Sequence, residues 1–180
     1  MTDETEKIYK ILQDIMKNVW EQQKYAEVKN GVLLTLNIAI LAIITRISKA
    51  SITINNDIYT QWIFYTLIAL LIIHIVCIMQ SFFPKDRNKE DIKWTNDDIN
   101  IFFFGDIQKL NSSRYLKLLL EKIGADKVGI SQVALLDLAN QIVKLSEIAQ
   151  SKYTSFKFAI YRMYGLLFMF FIYFTYLYFK

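Results

Sequence analysis

The chain has 180 residues, of which 54% are hydrophobic and 15% aromatic, and it contains only five glycines and one proline. Soluble domains rarely need so much apolar material, which averages roughly 45–50% even when glycine is counted. The formal charge of +4 is too small to indicate nucleic-acid binding by itself. One cysteine, Cys77, excludes an internal disulfide and a cysteine-cluster metal site, and one histidine, His74, excludes a histidine-rich metal or catalytic site. The composition therefore favours a membrane protein without a metal centre.

The first 30 residues predict an amphipathic helix, because apolar residues recur at helical spacing over several turns. These residues are Ile8, Ile11, Leu12, Ile15, Met16, Val19 and Trp20. The opposite face mixes lysines with acidic residues, whereas helices that lie flat on lipid carry a mainly cationic face. We therefore expect this stripe to pack on other parts of the same protein, with binding to the lipid surface as the alternative.

Two apolar segments then predict a transmembrane hairpin. Residues 31–47 form the first span and, at 1.5 Å per residue, fall slightly short of a bilayer core of about 30 Å. Residues 26–30 are therefore expected to form the turn that enters the membrane. Residues 62–83 form the second span, carry no charge and end just before Pro84. Residues 48–61 between the spans are short and polar, as an extracytoplasmic link requires.

Residues 84–157 predict a cytosolic helical region that begins with a charged loop. It continues with an aromatic motif at 101–107 and a short helix at 114–123. Gly124 and Gly129 break the chain next to this helix. From 131 to 179 no proline interrupts a helical apolar pattern, so one helix of about 49 residues and about 70 Å is predicted. Its stripe consists of Leu135, Leu138, Ile142, Leu145, Ala149, Tyr153 and Phe156. Its last part, residues 158–179, is the third transmembrane segment.

The positions of the cations predict the orientation of the chain. The hairpin link and its edges hold Arg46 and Lys49, whereas most other cations lie in the first 30 residues and in 84–157. Because cytoplasmic segments carry the excess of Lys and Arg, the N terminus is expected in the cytosol and Lys180 outside. The chain is thus predicted to be an all-α integral membrane protein with three transmembrane helices, an N-terminal amphipathic helix and a cytosolic helical region continuous with the last span.

Polar residues near the expected cytosolic boundary suggest a ligand site. They are Glu27, Lys29, Asp106, Gln141, Lys144, Lys152 and Tyr153. Lys152 and Tyr153 follow Gln141 by close to three helical turns, so the three are expected to share a face. Cations, an amide and aromatic rings at one level could hold an anionic ligand with a flat ring. The alternative is that these are ordinary juxtamembrane lysines paired with acidic side chains.

Catalytic chemistry is not indicated by any motif. The chain contains no P-loop, no GxSxG, no HExxH and no carboxylate pair at a mechanistic spacing, so we expect neither an enzyme nor a cofactor. His74 and Asn37 lie at membrane depth, where a polar side chain indicates function by default. A hydrogen bond to a neighbouring helix is the alternative explanation for each. Cys77 is expected to be inert.

Three stretches of the chain resemble the Pycsar transmembrane effector family. Residues 26–40, AEVKNGVLLTLNIAI, resemble the family's entry into its first span, with Glu27 in place of Asp and Asn30 in place of a small residue. Residues 103–107, FFGDI, resemble its aromatic-Gly-Asp-Ile element. Residues 135–153, LLDLANQIVKLSEIAQSKY, resemble its long helix, and the order of the elements matches as well.

The resemblance implies a bacterial antiphage effector of the inner membrane. In that family a partner nucleotidyl cyclase makes cCMP or cUMP after infection, and the effector impairs the inner membrane so that the cell dies before the phage matures. The implied partners are the lipid bilayer, the cyclic mononucleotide and further copies of the chain, with no nucleic acid. For such a ligand we assign Lys29, Lys144 and Lys152 to the phosphate, Gln141 to the base, Tyr153 or Phe104 to stacking, and Asp106 to orienting a lysine.

Two other functions stay open at this point. The chain could be a membrane scaffold that recruits a partner through the N-terminal stripe and the long helix. It could also be a related effector that answers another cyclic nucleotide or oligonucleotide. A scaffold should bind no nucleotide and be harmless when overproduced, so ligand dependence distinguishes it from an effector.

Overall fold

The computed structural model describes residues 3–52, 58–83, 99–125 and 133–179, and every regular element within them is a helix. The α-helices are α1 (Asp3–Ile52), α2 (Ile58–Met79), α3 (Phe104–Ile107), α4 (Ser112–Ile123) and α5 (Val133–Phe179). Within the predicted link, residues 53–57 lie outside the described residues, as do residues 84–98 of the predicted charged loop.

Helix α1 is a single helix of 50 residues, and the turn expected at residues 26–30 is absent. That prediction was wrong because it treated the amphipathic helix and the first span as separate elements. Continuing the helix keeps each backbone N–H paired within the segment. A turn at the membrane boundary would leave several of these groups without partners, which is costly where water is scarce.

Helix α2 begins at Ile58, before the predicted start of the span at residue 62. It ends at Met79 and is followed by a 3₁₀ turn, Gln80–Phe82. Phe83 then has an extended backbone with ψ 131°, as expected for a residue that precedes a proline. The steric demand of the following proline thus accounts for the end of the 3₁₀ turn at Phe82.

Helix α5 confirms the predicted long helix over the described part of its range. Its 47 residues contain no proline and give a length of about 70 Å by helical rise. The predicted residues 131–132 lie outside the described residues.

The chain divides into two compact units, and α1 and α5 contribute residues to both. One unit consists of Met1–Ala26 and Pro84–Tyr153, and we call it the extramembrane unit. The other consists of Glu27–Phe83 and Thr154–Lys180, and we call it the transmembrane unit.

The N-terminal stripe packs into the core of the extramembrane unit, as predicted. Its residues Ile8, Leu12, Ile15 and Val19 are buried against side chains of α4 and α5. Burial of such a side chain stabilises the fold by about 1.5–3 kcal/mol. Trp20 differs from the prediction, because it is 49% exposed and the Lys24 ammonium lies 3.7 Å from its ring centroid. The stripe is therefore narrower than the sequence pattern.

The transmembrane unit contains two apolar clusters and an apolar exterior. The first apolar cluster is built on Leu33, Ile78 and Ala159. The second apolar cluster consists of Ile44, Phe64, Leu67, Leu71, Phe170 and Tyr173. Large apolar side chains also face outward all along the unit, as they do where lipid is the solvent. Three helices are long and apolar enough to cross a membrane, which confirms the predicted all-α membrane fold.

Candidate functional site

Helix α4 holds in place the residues before it at 99–107, which we call the aromatic segment. Asn111 caps α4, its side-chain oxygen accepting a hydrogen bond from the Arg114 N–H at 2.8 Å, and Gly124 ends it with a left-handed backbone at φ 75°. The fully buried Tyr115 donates its hydroxyl proton to the Ile101 carbonyl at 3.3 Å, and burial raises the pKa of this tyrosine. Lys122 donates to the Ile99 carbonyl at 2.7 Å. The backbone of the aromatic segment is therefore fixed at two points.

Steric crowding explains why residue 105 of the FFGDI motif is a glycine. A Cβ atom at Gly105 would lie 2.5 Å from Cε1 and 2.9 Å from Cζ of the Phe103 ring. Only a residue without a side chain allows the Phe103 ring to fold back over α3 in this way. Ile107, the last residue of the motif, is fully buried in the core and anchors the short helix.

Asp106 holds the motif together electrostatically. One carboxylate oxygen lies 2.6 Å from the Lys109 ammonium, and the other accepts a hydrogen bond from the Asn100 N–H at 3.2 Å. Burial alone would raise the pKa of this carboxyl, but the hydrogen bonds from Lys109 and Asn100 and the charge of Lys109 outweigh it, so the pKa is lowered. Asp106 thus orients a lysine and fixes the start of the aromatic segment.

Phe104 and Tyr153 are stacked, with ring centroids 5.4 Å apart and planes 24° from parallel. The Tyr153 hydroxyl donates a hydrogen bond to Gln22 Oε1 on α1 at 3.1 Å. Burial, and then the neighbouring Tyr25, raise the pKa of Tyr153, so its hydroxyl is a donor at neutral pH. These contacts join α1, α3 and α5 at one point within the extramembrane unit.

A cavity of about 160 Å³ lies beside this stack and is partly open to solvent. It is lined by Asn18, Val19, Gln22, Phe102, Phe103 and Phe104. Sites for drug-sized ligands typically occupy about 300–1,000 Å³, whereas an apolar cavity of about 150 Å³ can hold a benzene ring. The cavity can thus take one six-membered ring between aromatic walls, with side-chain amides within its lining.

The other predicted site residues are spread along α5 and α1. Gln141 and Lys144 are exposed on α5, and 11 residues separate Gln141 from Lys152, a rise of about 16 Å along the axis. Lys152 is buried at 7% exposure. Lys29 belongs to the transmembrane unit, where its ammonium lies 5.8 Å from the centroid of the Phe156 ring. Among the described residues no group of His, Cys, Asp and Glu is placed to hold a metal ion.

Comparison with known protein families identifies the chain. The family model of the Pycsar effector protein domain, PycTM, matches residues 11–179 and so covers nearly the whole sequence. The chain belongs to the Pycsar effector family. Its members are effectors of antiphage defence, and this member is a multi-pass membrane protein by its three apolar helices. No curated protein and no solved structure matches the chain significantly.

Of the six residues that line the cavity in this Pycsar effector, only Phe104 was among the site residues predicted from the sequence. Asn18 and Gln22 lie on α1, on either side of the buried Val19 along the chain. They are amides one helical turn apart on one face of α1, and this spacing was the available signal.

Proposed function

We propose that this Pycsar effector senses a cyclic pyrimidine mononucleotide, cCMP or cUMP, that a partner nucleotidyl cyclase makes after infection. The effector with its nucleotide bound then impairs the inner membrane, and the infected cell dies before the phage matures. The observation that carries this proposal is the family match over residues 11–179, which includes residues of both units. The effector acts by binding and by changing its packing, without catalysis.

The cavity beside the Phe104–Tyr153 stack is the proposed seat of the pyrimidine base. Its volume of about 160 Å³ is enough for one six-membered ring. Base rings stack on aromatic side chains, and Phe102, Phe103 and Phe104 supply these walls. We assign recognition of the base edge to the amide of Gln22, whose Oε1 accepts the hydrogen bond from Tyr153, rather than to Gln141.

The sugar and cyclic phosphate would project from the open side of the cavity. Within the extramembrane unit, Lys144 and Lys152 remain the proposed phosphate ligands, because an ammonium pairs well with a phosphate oxygen. Asp106 acts on the site indirectly, since its carboxylate already pairs with Lys109.

Helices α1 and α5 are the proposed link between ligand and membrane, because each belongs to both units. A ligand that binds one packing of α1, α3 and α5 more tightly than another shifts the population toward that packing. Three spans in one chain enclose no channel, so we propose that several copies act together in the inner membrane.

Membrane depolarisation tests the proposal. Bacteria that contain the full chain and a membrane-potential dye are supplied with cCMP, cUMP, cAMP or cGMP in turn. We expect rapid depolarisation with one pyrimidine cyclic nucleotide and none with the purines. Absence of depolarisation with all four, in cells that contain folded protein, would contradict the proposal and favour another cyclase product or a scaffold.

The proposed base seat has a test of its own. Gln22→Ala should weaken binding of the active nucleotide about tenfold, since it removes a hydrogen bond to the base and the partner of Tyr153. Gln13→Ala is the matched control, because Gln13 is an exposed glutamine of the same helix. Nucleotide binding is measured by calorimetry on detergent-solubilised protein. Equal affinities for the two variants would show that the base binds elsewhere.

A further inference from the structure

The interior of the transmembrane unit contains polar atoms that have no hydrogen-bond partner among the residues that the structure describes. Asn37 is fully buried, and His74 is 2% exposed. The Asn37 amide nitrogen donates to the Leu33 carbonyl at 2.7 Å and lies 3.8 Å from the Met163 sulfur. Within the described residues, however, Asn37 Oδ1 and both ring nitrogens of His74 have no hydrogen-bond partner.

Helical register places Asn37 and His74 at the same level. Leu33 of α1 and Ile78 of α2 meet in the first apolar cluster, while Ile44 of α1 meets Phe64 of α2 in the second. The two helices are therefore antiparallel. Asn37 lies one turn after Leu33 and His74 one turn before Ile78, so both fall between the two apolar clusters.

These unpartnered atoms are costly to fold stability. A polar atom without a partner in a lipid-surrounded interior costs several kcal/mol, whereas leucine at either position would cost nothing of this kind. Intramembrane polar residues of this type mark pathways for ions or water. Asn30, two turns before Asn37 on the same face of α1, also has both side-chain polar atoms buried and unpartnered among the described residues.

The polar groups of Asn37 and His74 have the donors and acceptors that a water molecule needs. A neutral imidazole offers one donor and one acceptor, and Asn37 Oδ1 adds a second acceptor. A buried water molecule needs two to four such partners. A metal cation would find too few oxygen ligands here, because Asn37 Oδ1 is the one oxygen that the two side chains offer.

We propose that Asn37 and His74 form a water-binding site inside the transmembrane unit, and that this site lines the path of the ion leak when several copies of the active effector act together. Water held between the two apolar clusters supplies polar contacts to a permeating ion at the depth where the hydrocarbon barrier is highest. Asn30 provides a second polar step along α1. The water site is inferred from the transmembrane unit alone, whereas its role in the ion leak rests on the proposed function.

The water site is tested without any nucleotide. His74 is the only histidine of the chain, so ¹⁵N-histidine labelling of full-length protein in liposomes gives imidazole signals from this residue alone. In water-edited solid-state NMR we expect rapid transfer of proton magnetisation from water to the His74 ring. In the Asn37→Leu variant this magnetisation transfer should be much slower. A wild-type transfer no faster than that of interior aliphatic carbons would overturn the water site.

The leak is tested in the same liposomes with a membrane-potential dye and added cCMP or cUMP. His74→Leu and Asn37→Leu should reduce the nucleotide-dependent leak by about tenfold or more, since the ion loses a polar contact in the interior. His74→Gln should retain most of it, because glutamine keeps a donor and an acceptor. Thr66→Val is the matched control, because Thr66 is an exposed polar residue of α2 whose hydroxyl donates to the Trp62 carbonyl.

Nucleotide binding separates the possible outcomes. Leucine variants that bind the nucleotide normally but no longer leak would support the inference. Leucine variants that leak like the wild type would overturn the conducting role of the site. A wild type that neither binds nor leaks with either nucleotide would contradict the proposed function, while the NMR result would still decide the water site.

Discussion

At the residue scale, Gly105 links the FFGDI motif to the cavity. Gly105→Ala would push a Cβ atom against the Phe103 ring, which is 49% exposed and can rotate away. We expect a loss of less than about 1 kcal/mol in the free energy of unfolding, typical of a site that can relax, but a displaced cavity wall. Calorimetry should therefore show at least about tenfold weaker nucleotide binding at a nearly unchanged melting temperature. Unchanged binding would mean that Phe103 does not contact the ligand.

Asp106 should make stability depend on pH. Its pKa in the folded protein lies below the ordinary value, so its contribution is complete above an unfolded pKa of about 3.9 and is lost as pH falls through the folded pKa. Asp106→Asn should cost about 1 kcal/mol at neutral pH, the scale of a partly exposed ion pair with one backbone hydrogen bond.

Thermal unfolding in detergent checks this prediction. The difference in melting temperature between wild type and Asp106→Asn should be constant at neutral pH and shrink below about pH 4. Glu121→Gln is the control, because the Glu121 contact to Lys117 is long, at 4.0 Å, and exposed. A difference that does not change with pH would show that the ion pair is not what stabilises the motif.

The sequence indicated some of the proposed site and not the rest. Phe104 and Tyr153 were named from a motif and from helical spacing, and the structure stacks their rings. The hydrogen bond between Tyr153 and Gln22 joins residues 131 positions apart, and local pattern carries no information on such a contact. Contacts of this kind depend on how helices pack, which a single sequence does not specify.

At the scale of elements, the cap of α4 should determine how well the aromatic segment is held. Asn111→Ala removes the hydrogen bond to the Arg114 N–H and should cost about 1 kcal/mol of stability. Ser113→Ala, an exposed change within the first turn, is the control and should cost less. Thermal unfolding measures both, and equal losses would show that the cap contributes nothing beyond helix propensity.

The lengths of the helices were only partly predictable. The spans and the long helix α5 followed from apolar runs and from the absence of proline. The continuity of α1 did not, because charged residues before the first span were taken as a boundary when they are compatible with helix. A change in polarity marks where the environment changes and leaves the backbone conformation undetermined.

At the scale of the whole molecule, the positive-inside rule predicts a cytosolic N terminus. An alkaline phosphatase fused after Asn56 should be active, since the link would lie outside the inner membrane, and one fused at the N terminus should be inactive. Fusion to a fluorescent protein that folds only in the cytosol gives the complementary measurement. Cytosolic fluorescence from a fusion after Asn56 would contradict this topology.

The length of α2 has a consequence for the choice of bilayer. Its 22 residues measure about 33 Å, close to the hydrocarbon thickness of about 30 Å in an average membrane. In a thinner bilayer the helix must tilt or the lipid must stretch, at a cost of fractions of a kcal/mol per ångström of mismatch. Acyl-chain length would then act on the balance between packings of the spans, so the lipid composition of the host would help to set the nucleotide concentration at which the effector responds.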